Sequence, residues 1–214
     1  MDCFGDFMTA KNKRKQQMII GLTGGIATGK SESAKHFKAL GAYAIDADAI
    51  SRELTKKGMP ALKELVKYFG KNILRSNGTL NRKKLAEIIF TDKEAKLKVE
   101  KILHAYIISR INAVISKKMK KYNVVIDAPL LFEVGLDRIC DIVVVIWAPY
   151  GIQARRLAKR DGLNKEQVEK RISSQMPIEE KVKMADYTID NTDSKKILAK
   201  RVRDLYALLT AEKK

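Results

Sequence analysis

A glycine cluster that follows a short apolar run constrains this chain more than any other feature. Residues 18–31 read MIIGLTGGIATGKS, and Gly24, Gly29, Lys30 and Ser31 fit the phosphate-loop pattern G-x-x-x-x-G-K-[ST]. The apolar run predicts a strand and the residues after the loop predict a helix, which is the context that makes this pattern credible. In such a loop, backbone N–H groups point at one anion and the helix N-terminus adds partial positive charge. The stretch therefore predicts a triphosphate site rather than a glycine turn that binds nothing.

The side chains at the end of the loop have separate expected roles. Lys30 is expected to reach the β- and γ-phosphates, and the Ser31 hydroxyl is expected to coordinate Mg²⁺. The motif indicates triphosphate binding, but it does not distinguish a kinase from a GTPase or a motor. The predicted nucleotide-binding residues of the loop are Gly24, Gly25, Ile26, Ala27, Thr28, Gly29, Lys30 and Ser31.

Short apolar runs alternate with helical patterns along the chain. Runs such as VVVI, which are apolar on both faces, suit a parallel sheet that is covered on both sides. The repeated strand–helix order predicts an α/β fold with a doubly wound sheet of five parallel strands. The predicted strands span 18–23, 42–46, 123–128, 141–147 and 187–190. They place the core of the fold at 18–49, 122–150 and 185–214.

Two helical excursions interrupt this rhythm. Residues 50–121 contain no clear strand, and we interpret them as a helical insert with segments at 49–57, 60–69, 81–90 and 93–121. Residues 151–184 form a second excursion, in which Asn164 and Gln167 fit a capping box. Its place after the fourth strand predicts a lid. We expect 18–214 to be one domain and 1–17 to be a flexible basic arm.

Composition predicts a soluble globular protein with a polyanionic ligand. The net charge is +18, and residues 52–121 carry 19 basic and 6 acidic side chains, a field that attracts multiply charged anions. The longest apolar run, IVVVIWA, is far shorter than the roughly 20 residues that span a bilayer. Residues 1–17 lack the apolar centre of a signal peptide, and the two cysteines, Cys3 and Cys140, form no C-x-x-C pattern. We therefore expect a cytoplasmic protein with no membrane partner.

Three acids follow predicted strands. Asp46 and Asp48 are two positions apart, so in an extended chain both would point to the same side, and one of them is placed to accept a proton from an attacking hydroxyl. The alternative is that they are helix caps, because a helix follows. Asp127 closes the third strand, in the arrangement of an acid that holds a metal ion or water.

A run of basic residues lies on the first helix of the predicted lid. Arg155, Arg156, Lys159 and Arg160 fall within six residues, and Arg156 and Arg160 share a helical face. Arginines on a closing element commonly neutralise the charge of a phosphoryl group in transfer. The competing interpretation is a solvated basic face. His36 is interpreted as structural.

Taken together, these residues resemble one known family, the dephospho-CoA kinases. The matching pieces occur in the family's order over about residues 18–210. They are GLTGGIATGKS, AIDADAISREL, GTLNRKKLAEIIF, KILHAYI, DAPLLFE, RLAKRD, RISSQ and ADYTIDN. The resemblance implies a P-loop kinase-like sheet with a helical inserted subdomain and a helical lid. It also implies ATP-dependent phosphorylation of the ribose 3′-hydroxyl of dephospho-CoA, with Mg²⁺, to give coenzyme A and ADP.

The resemblance also implies roles for individual residues. Asp48 is similar to the family's catalytic base and Arg156 to its lid arginine, while Lys30 keeps its loop role. Arg52 and His104 resemble acceptor-side contacts. Arg160 and Asn191 resemble neighbours of ATP, and Ser31 and Asp127 are the expected metal-side residues.

This sequence departs from the family pattern at two places. Ala27 and Thr28 replace Gly-Ser in the loop, so we expect the loop to function unless residue 27 needs a positive φ. Ala105 replaces the proline that usually follows the histidine, which weakens the assignment of His104.

Two other functions remain open at this point. The first is a kinase for another hydroxyl acceptor, such as a nucleoside, although DAD and PLLFE favour dephospho-CoA. The second is a nucleotide-dependent switch that binds nucleic acid, which the net charge supports. Against the switch, the sequence shows no NKxD guanine signature and no platform of stacking aromatics. We therefore expect no nucleic-acid partner, and the oligomeric state stays undetermined.

Overall fold

The sheet consists of five parallel strands with the first strand in its centre. The computed structural model describes residues 17–211; of the expected arm at 1–17, all but Gln17 lies outside the described residues. The strands are β1 (Ile19–Gly24), β2 (Tyr43–Asp46), β3 (Val124–Asp127), β4 (Ile142–Trp147) and β5 (Tyr187–Asp190). Their order in the sheet is β2-β3-β1-β4-β5. All five predicted strands are confirmed, each to within one residue at either end.

Helices connect the strands in an uneven way. The helices are α1 (Lys30–Ala39), α2 (Ala47–Leu54), α3 (Pro60–Phe69), α4 (Arg82–Thr91), α5 (Lys93–Lys118), α6 (Tyr150–Asp161), α7 (Lys165–Ser173), α8 (Ile178–Met184) and α9 (Lys195–Ala211). Helix α1 joins β1 to β2, α2–α5 lie between β2 and β3, α6–α8 lie between β4 and β5, and α9 ends the described chain. Short 3₁₀ turns lie at Lys71–Ile73 and Leu136–Ile139. In the described residues, no helix is both long enough and apolar enough to cross a bilayer.

The sheet is buried on both faces, as the strand sequences predict. Val124 and Ile126 of β3 pack into a cluster with α2, α5 and α8, whereas Val125 faces the opposite cluster with α1 and α9. This alternation follows from the period of two along a strand. Because every central strand must be apolar on both faces, its sequence is a continuous apolar run rather than an alternating one.

The region between β2 and β3 has a hydrophobic cluster of its own. Its buried members come from α3, α4, α5 and the turns between them: Leu62, Leu65, Ile73, Leu80, Leu85, Val99 and Ile102. Asn81 caps α4 through Lys84 N, and Asp92 caps α5 through Glu94 N and Ala95 N. These caps satisfy backbone N–H groups that lack partners at a helix start, so each helix begins at a defined residue.

The expected geometry of Asp46 and Asp48 is wrong. The chain does not stay extended past β2, because α2 begins at Ala47. The Asp46 carboxylate accepts from Ala49 N at 2.8 Å as the N-cap, while Asp48 lies in the first helical turn. Asp46 therefore has the capping role that was the alternative.

We expect the cluster of α3–α5 to stabilise the whole domain. Leu65→Ala removes a side chain that is fully buried, and such a change costs about 2–5 kcal/mol of the free energy of unfolding. Lys63→Ala, at an exposed position of the same helix, is the matched control and is expected to change it by less than about 0.5 kcal/mol. Urea unfolding of both variants measures the difference. Equal stabilities would show that this cluster does not contribute.

Candidate active site

The backbone of the loop between β1 and α1 packs closely against the side chain of Asn191. Gly29 has φ +100°, and a Cβ at this position would collide with the Asn191 amide nitrogen. The Asn191 amide donates to Thr28 O at 2.7 Å and is buried after β5. The Thr28 hydroxyl in turn donates to Gly25 O at 2.9 Å. Glycine at 29 is therefore needed for both backbone conformation and space.

The loop also contains one alanine in a left-handed conformation. Ala27 has φ +60°. Residue 27 therefore does need a positive φ, so the replacement of the family's usual glycine by alanine has a conformational cost. A non-glycine residue in this region is strained by about 1–2 kcal/mol. Two hydrogen bonds of the next residue, Thr28, keep the loop in this conformation: its hydroxyl donates to Gly25 O, and its carbonyl oxygen accepts from Asn191.

Lys30 and Asp127 form an ion pair at the floor of the loop. Asp127 ends β3, and the sheet register places it opposite Leu22 of β1 and Asp46 of β2. Burial raises the pKa of the Asp127 carboxyl above its ordinary value, while Lys30 acts against that rise. The pair is therefore a buried salt bridge in which each charge offsets the desolvation of the other.

A cavity of about 450 Å³ opens above the loop. It brings together the predicted loop residues except Gly24, with Asp48 from α2 and with Arg156 and Arg160 from α6. Its lining is Gly25, Ile26, Ala27, Thr28, Gly29, Lys30, Ser31, Glu32, Asp48, Pro129, Arg156, Arg160 and Gln175. We call it the phosphate cavity, because backbone N–H groups, a lysine and two arginines converge on it.

A smaller cavity of about 200 Å³ adjoins it. Asn191 lines this space together with Ala27, Gly29 and Arg156. Asn191 thus lies beside the loop and holds its backbone, while its expected place next to ATP stays a prediction.

A second large cavity, of about 480 Å³, lies between α2, α5 and the segment after β3. Most of its lining is apolar, with Leu97 and Leu130 exposed at the surface. We call it the apolar cavity. His104 lines it, and the buried Nε2 atom of this histidine has no hydrogen-bond partner among the described residues. Asp48 and Pro129 line both the apolar and the phosphate cavity.

Arg52 is not among the described residues that line these cavities. Its guanidinium lies 3.8 Å from the Asp46 carboxylate, and its side chain is 61% exposed. Burial lowers the pKa of Arg82, and the charge of Arg52 lowers it further. The two guanidinium groups are therefore near each other. The expected acceptor-side role of Arg52 therefore stays a prediction.

An acid at the end of α6 orients the outer arginine of the lid helix. Asp161 accepts from Arg160 at 2.8 and 3.1 Å and from Arg171 of α7 at 2.6 Å. Arg160 nevertheless lines the phosphate cavity, as does the half-buried Arg156 one turn before it. Arg155 and Lys159 do not line this cavity, so the basic run divides into two faces, as the helical spacing predicts.

Sequence reasoning missed three residues near the loop. Gln175 lines the phosphate cavity, Glu133 lines the apolar cavity, and Lys181 of α8 is fully buried against the segment after β3. Burial lowers the pKa of Lys181, and its contact with Glu133 opposes that shift. A lysine in a short, polar helix carries no signal of burial, because only the packing of α8 on the sheet excludes water from it.

The fold and the site define a P-loop kinase. A phosphate-binding loop follows the central strand of a parallel sheet, and the ligand cavity lies at the carboxyl ends of the strands, where such folds bind nucleotides. Two arginines and a carboxylate line the same cavity.

Comparison with known proteins identifies the family. The model of the dephospho-CoA kinase family matches residues 18–196, so the chain belongs to the dephospho-CoA kinases. The chain is 42% identical over 193 residues to the dephospho-CoA kinase of Aquifex aeolicus, covering 90% of this chain and 98% of that one. It is 40% identical over 181 residues to the Bacillus licheniformis enzyme of the same name, covering 84% and 90%.

Solved structures of similar proteins support the same family and fold. The dephospho-CoA kinase of Campylobacter jejuni superposes with a TM-score of 0.68 at 29% identity, covering 92% of this chain and 98% of that one. A Thermus thermophilus protein gives a TM-score of 0.77 at 30% identity over the same shares. A shikimate kinase from Acinetobacter baumannii shares the fold, with a TM-score of 0.51 at 16% identity, 92% of this chain and 96% of that one. The predicted family and α/β fold are thereby confirmed.

The strained loop residue predicts opposite results for two alanine-to-glycine changes. Ala27→Gly relieves the positive φ, so the free energy of unfolding is expected to stay equal or rise by up to about 1 kcal/mol. Ala34→Gly, within α1, is expected to lower it by about 1 kcal/mol. Thermal unfolding of the two variants makes the comparison. A similar loss in both would mean that Ala27 is not strained.

Proposed function

We propose that the chain transfers the γ-phosphoryl group of ATP to the ribose 3′-hydroxyl of dephospho-CoA, giving coenzyme A and ADP. The observation that carries this proposal is the position of Asp48, which lines both the phosphate cavity and the apolar cavity. A carboxylate at the junction of two cavities can accept a proton from a hydroxyl that enters from one side and attacks a phosphate on the other. The family membership supports the choice of acceptor.

The loop residues would hold the triphosphate of ATP. Backbone N–H groups of the loop surround the phosphates, and Lys30 leaves or shares its contact with Asp127 to reach the γ-phosphate. Arg156 and Arg160 stabilise the charge that spreads over the oxygens of the phosphoryl group in transfer. In this way the protein positions the reactants and neutralises charge, which is most of what phosphoryl transfer requires.

The residues present suit a magnesium ion that is bound mainly by the nucleotide. The described residues contain no group of three or more His, Cys, Asp or Glu side chains that forms a metal site by itself. The Ser31 hydroxyl, in the phosphate cavity, and the buried Asp127 carboxylate are hard oxygen donors of the kind that hold Mg²⁺ with phosphates and water. When bound, Mg²⁺ would neutralise phosphate charge. Asp127 holds Lys30 in place until the nucleotide arrives.

The acceptor side combines an apolar cavity with a basic surface. Dephospho-CoA carries a long arm with little charge and a pyrophosphate. The apolar cavity suits the arm, and the excess of lysine and arginine at 52–121 attracts the pyrophosphate. His104, whose Nε2 atom lacks a partner in the described structure, contributes a polar contact in the cavity. Arg52, near Arg82, contributes positive charge to the same basic region.

The division of the domain follows the same scheme. We assign residues 50–121 to acceptor binding and residues 151–184 to a lid, which brings Arg156 to the phosphates and excludes water on closing. The remaining strands and helices of 18–214 form the nucleotide-binding core. We place the reaction in the cytoplasm and expect no nucleic-acid partner.

An assay with several acceptors tests the reaction. Release of ADP is measured with ATP, Mg²⁺ and either dephospho-CoA, adenosine, AMP or no acceptor. We expect ADP to form with dephospho-CoA alone, with coenzyme A as the second product. Preference for adenosine or AMP would instead assign the chain to another hydroxyl acceptor.

Asp48 and Asp46 provide a matched pair of variants. Asp48→Asn removes the proton acceptor and is expected to lower kcat by about 10²–10⁴-fold, with little change in the affinity for ATP. Asp46→Asn keeps an N-cap of similar quality on α2, so its kcat is expected to remain near that of the parent protein. Steady-state kinetics and ATP titrations distinguish them. A normal kcat in Asp48→Asn would remove Asp48 from the role of base.

A further inference from the structure

Lys181 is a fully buried lysine that the reaction scheme above does not use. It lies on α8, and its Nζ donates to Pro129 O at 2.6 Å and to Glu133 Oε1 at 2.8 Å. Pro129 O also accepts at 3.2 Å from the hydroxyl of the buried Thr23, the next-to-last residue of β1. A buried lysine is costly unless it is paired, so these contacts hold α8 against the segment that follows β3.

Glu133 connects this lysine to the turn between α7 and α8. The same oxygen that accepts from Lys181 also accepts from Met176 N at 3.1 Å. Since Glu133 belongs to the segment after β3, this carboxylate joins the turn to the sheet. Without the charge of Lys181 beside it, a half-buried carboxylate would favour water over the Met176 amide.

The residue directly before Met176 is Gln175, which reaches the phosphate cavity. Its side chain lines the cavity together with Lys30 and Arg156. Its Oε1 atom is buried and has no hydrogen-bond partner within residues 17–211. A buried amide oxygen without a hydrogen-bond partner lowers the stability of the folded state, because it has lost its contacts with water. The other end of the same amide is an NH₂ group, which can donate hydrogen bonds to anionic oxygens.

We propose that Gln175 donates a hydrogen bond to the phosphates of bound ATP and that Lys181, acting through Glu133, is the positioning residue that holds Gln175 there. The proposal extends the proposed function, because it assigns a further contact in the same phosphate cavity. It requires only that ATP binds above the loop, so it is testable without the acceptor. It also gives the lid a fixed base, since α8 stays attached to the sheet while α6 carries the arginines.

Binding of a fluorescent ATP analogue in the presence of Mg²⁺ tests the proposal. Gln175→Ala is expected to raise the dissociation constant about tenfold, the effect of losing one hydrogen bond to a charged group. Lys181→Met is expected to raise it by a similar factor. The double variant is expected to bind no more weakly than the weaker of the two, because Lys181 acts through Gln175.

Two further variants separate positioning from a general loss of structure. Lys183→Met, two residues along α8 with a side chain 69% exposed, is the control and is expected to bind the analogue normally. Lys181→Arg keeps the donors and the charge, so it is expected to recover part of the affinity. If Lys181→Met does not fold, Glu133→Gln replaces it, with an expected weakening of a few fold.

The outcomes separate the two proposals. Unchanged binding in Gln175→Ala overturns the contact, and multiplicative losses in the double variant overturn the positioning role of Lys181. If the parent protein binds the analogue but phosphorylates no dephospho-CoA, the proposed function fails, while the effects of Gln175 and Lys181 on binding still decide this inference.

Discussion

The parallel hydrogen-bonded pairing of β1 with β3 on one side and β4 on the other is the constraint on which the site depends. The register places Leu22 opposite Asp127 and Gly24 opposite Ile146, so three strands end at one edge. The loop emerges there with the carboxylate of Asp127 within reach of Lys30. The central strand must be buried on both faces, which leaves its carboxyl end as the place where a polar site can open.

Two buried ion pairs flank the segment that follows β3. Lys30 pairs with Asp127 at its start, and Lys181 pairs with Glu133 farther on. Each pair offsets the desolvation of its two charges, and removing one member would leave the other buried and uncompensated. Lys30 also lowers the pKa of Lys181, although less than burial does, so the two lysines interact. The segment is thereby connected to the phosphate loop on one side and to the base of the lid on the other.

Much of the fold was predictable because its signals are local. Each strand is a short apolar run bounded by turn residues, and the capping box of Asn164 and Gln167 forms as its spacing predicts. The loop motif includes all of its own binding atoms within eight residues, so its structure follows from glycine and the adjoining strand and helix. The error at Asp46 and Asp48 arose because one residue decides whether a chain remains extended or starts a helix, and DAD is compatible with both.

By itself, the sequence determined the phosphate loop, the order of strands and helices, and the family to which the chain belongs. These depend on patterns within short stretches, where backbone preference and apolar periodicity act directly. Only the tertiary structure decided which distant residues meet: Asp48 at the junction of two cavities, Asn191 against the loop, and Gln175 beside a turn that Glu133 and Lys181 hold. These contacts join residues tens of positions apart, and burial, which gives them their strength, exists only once the helices have packed on the sheet.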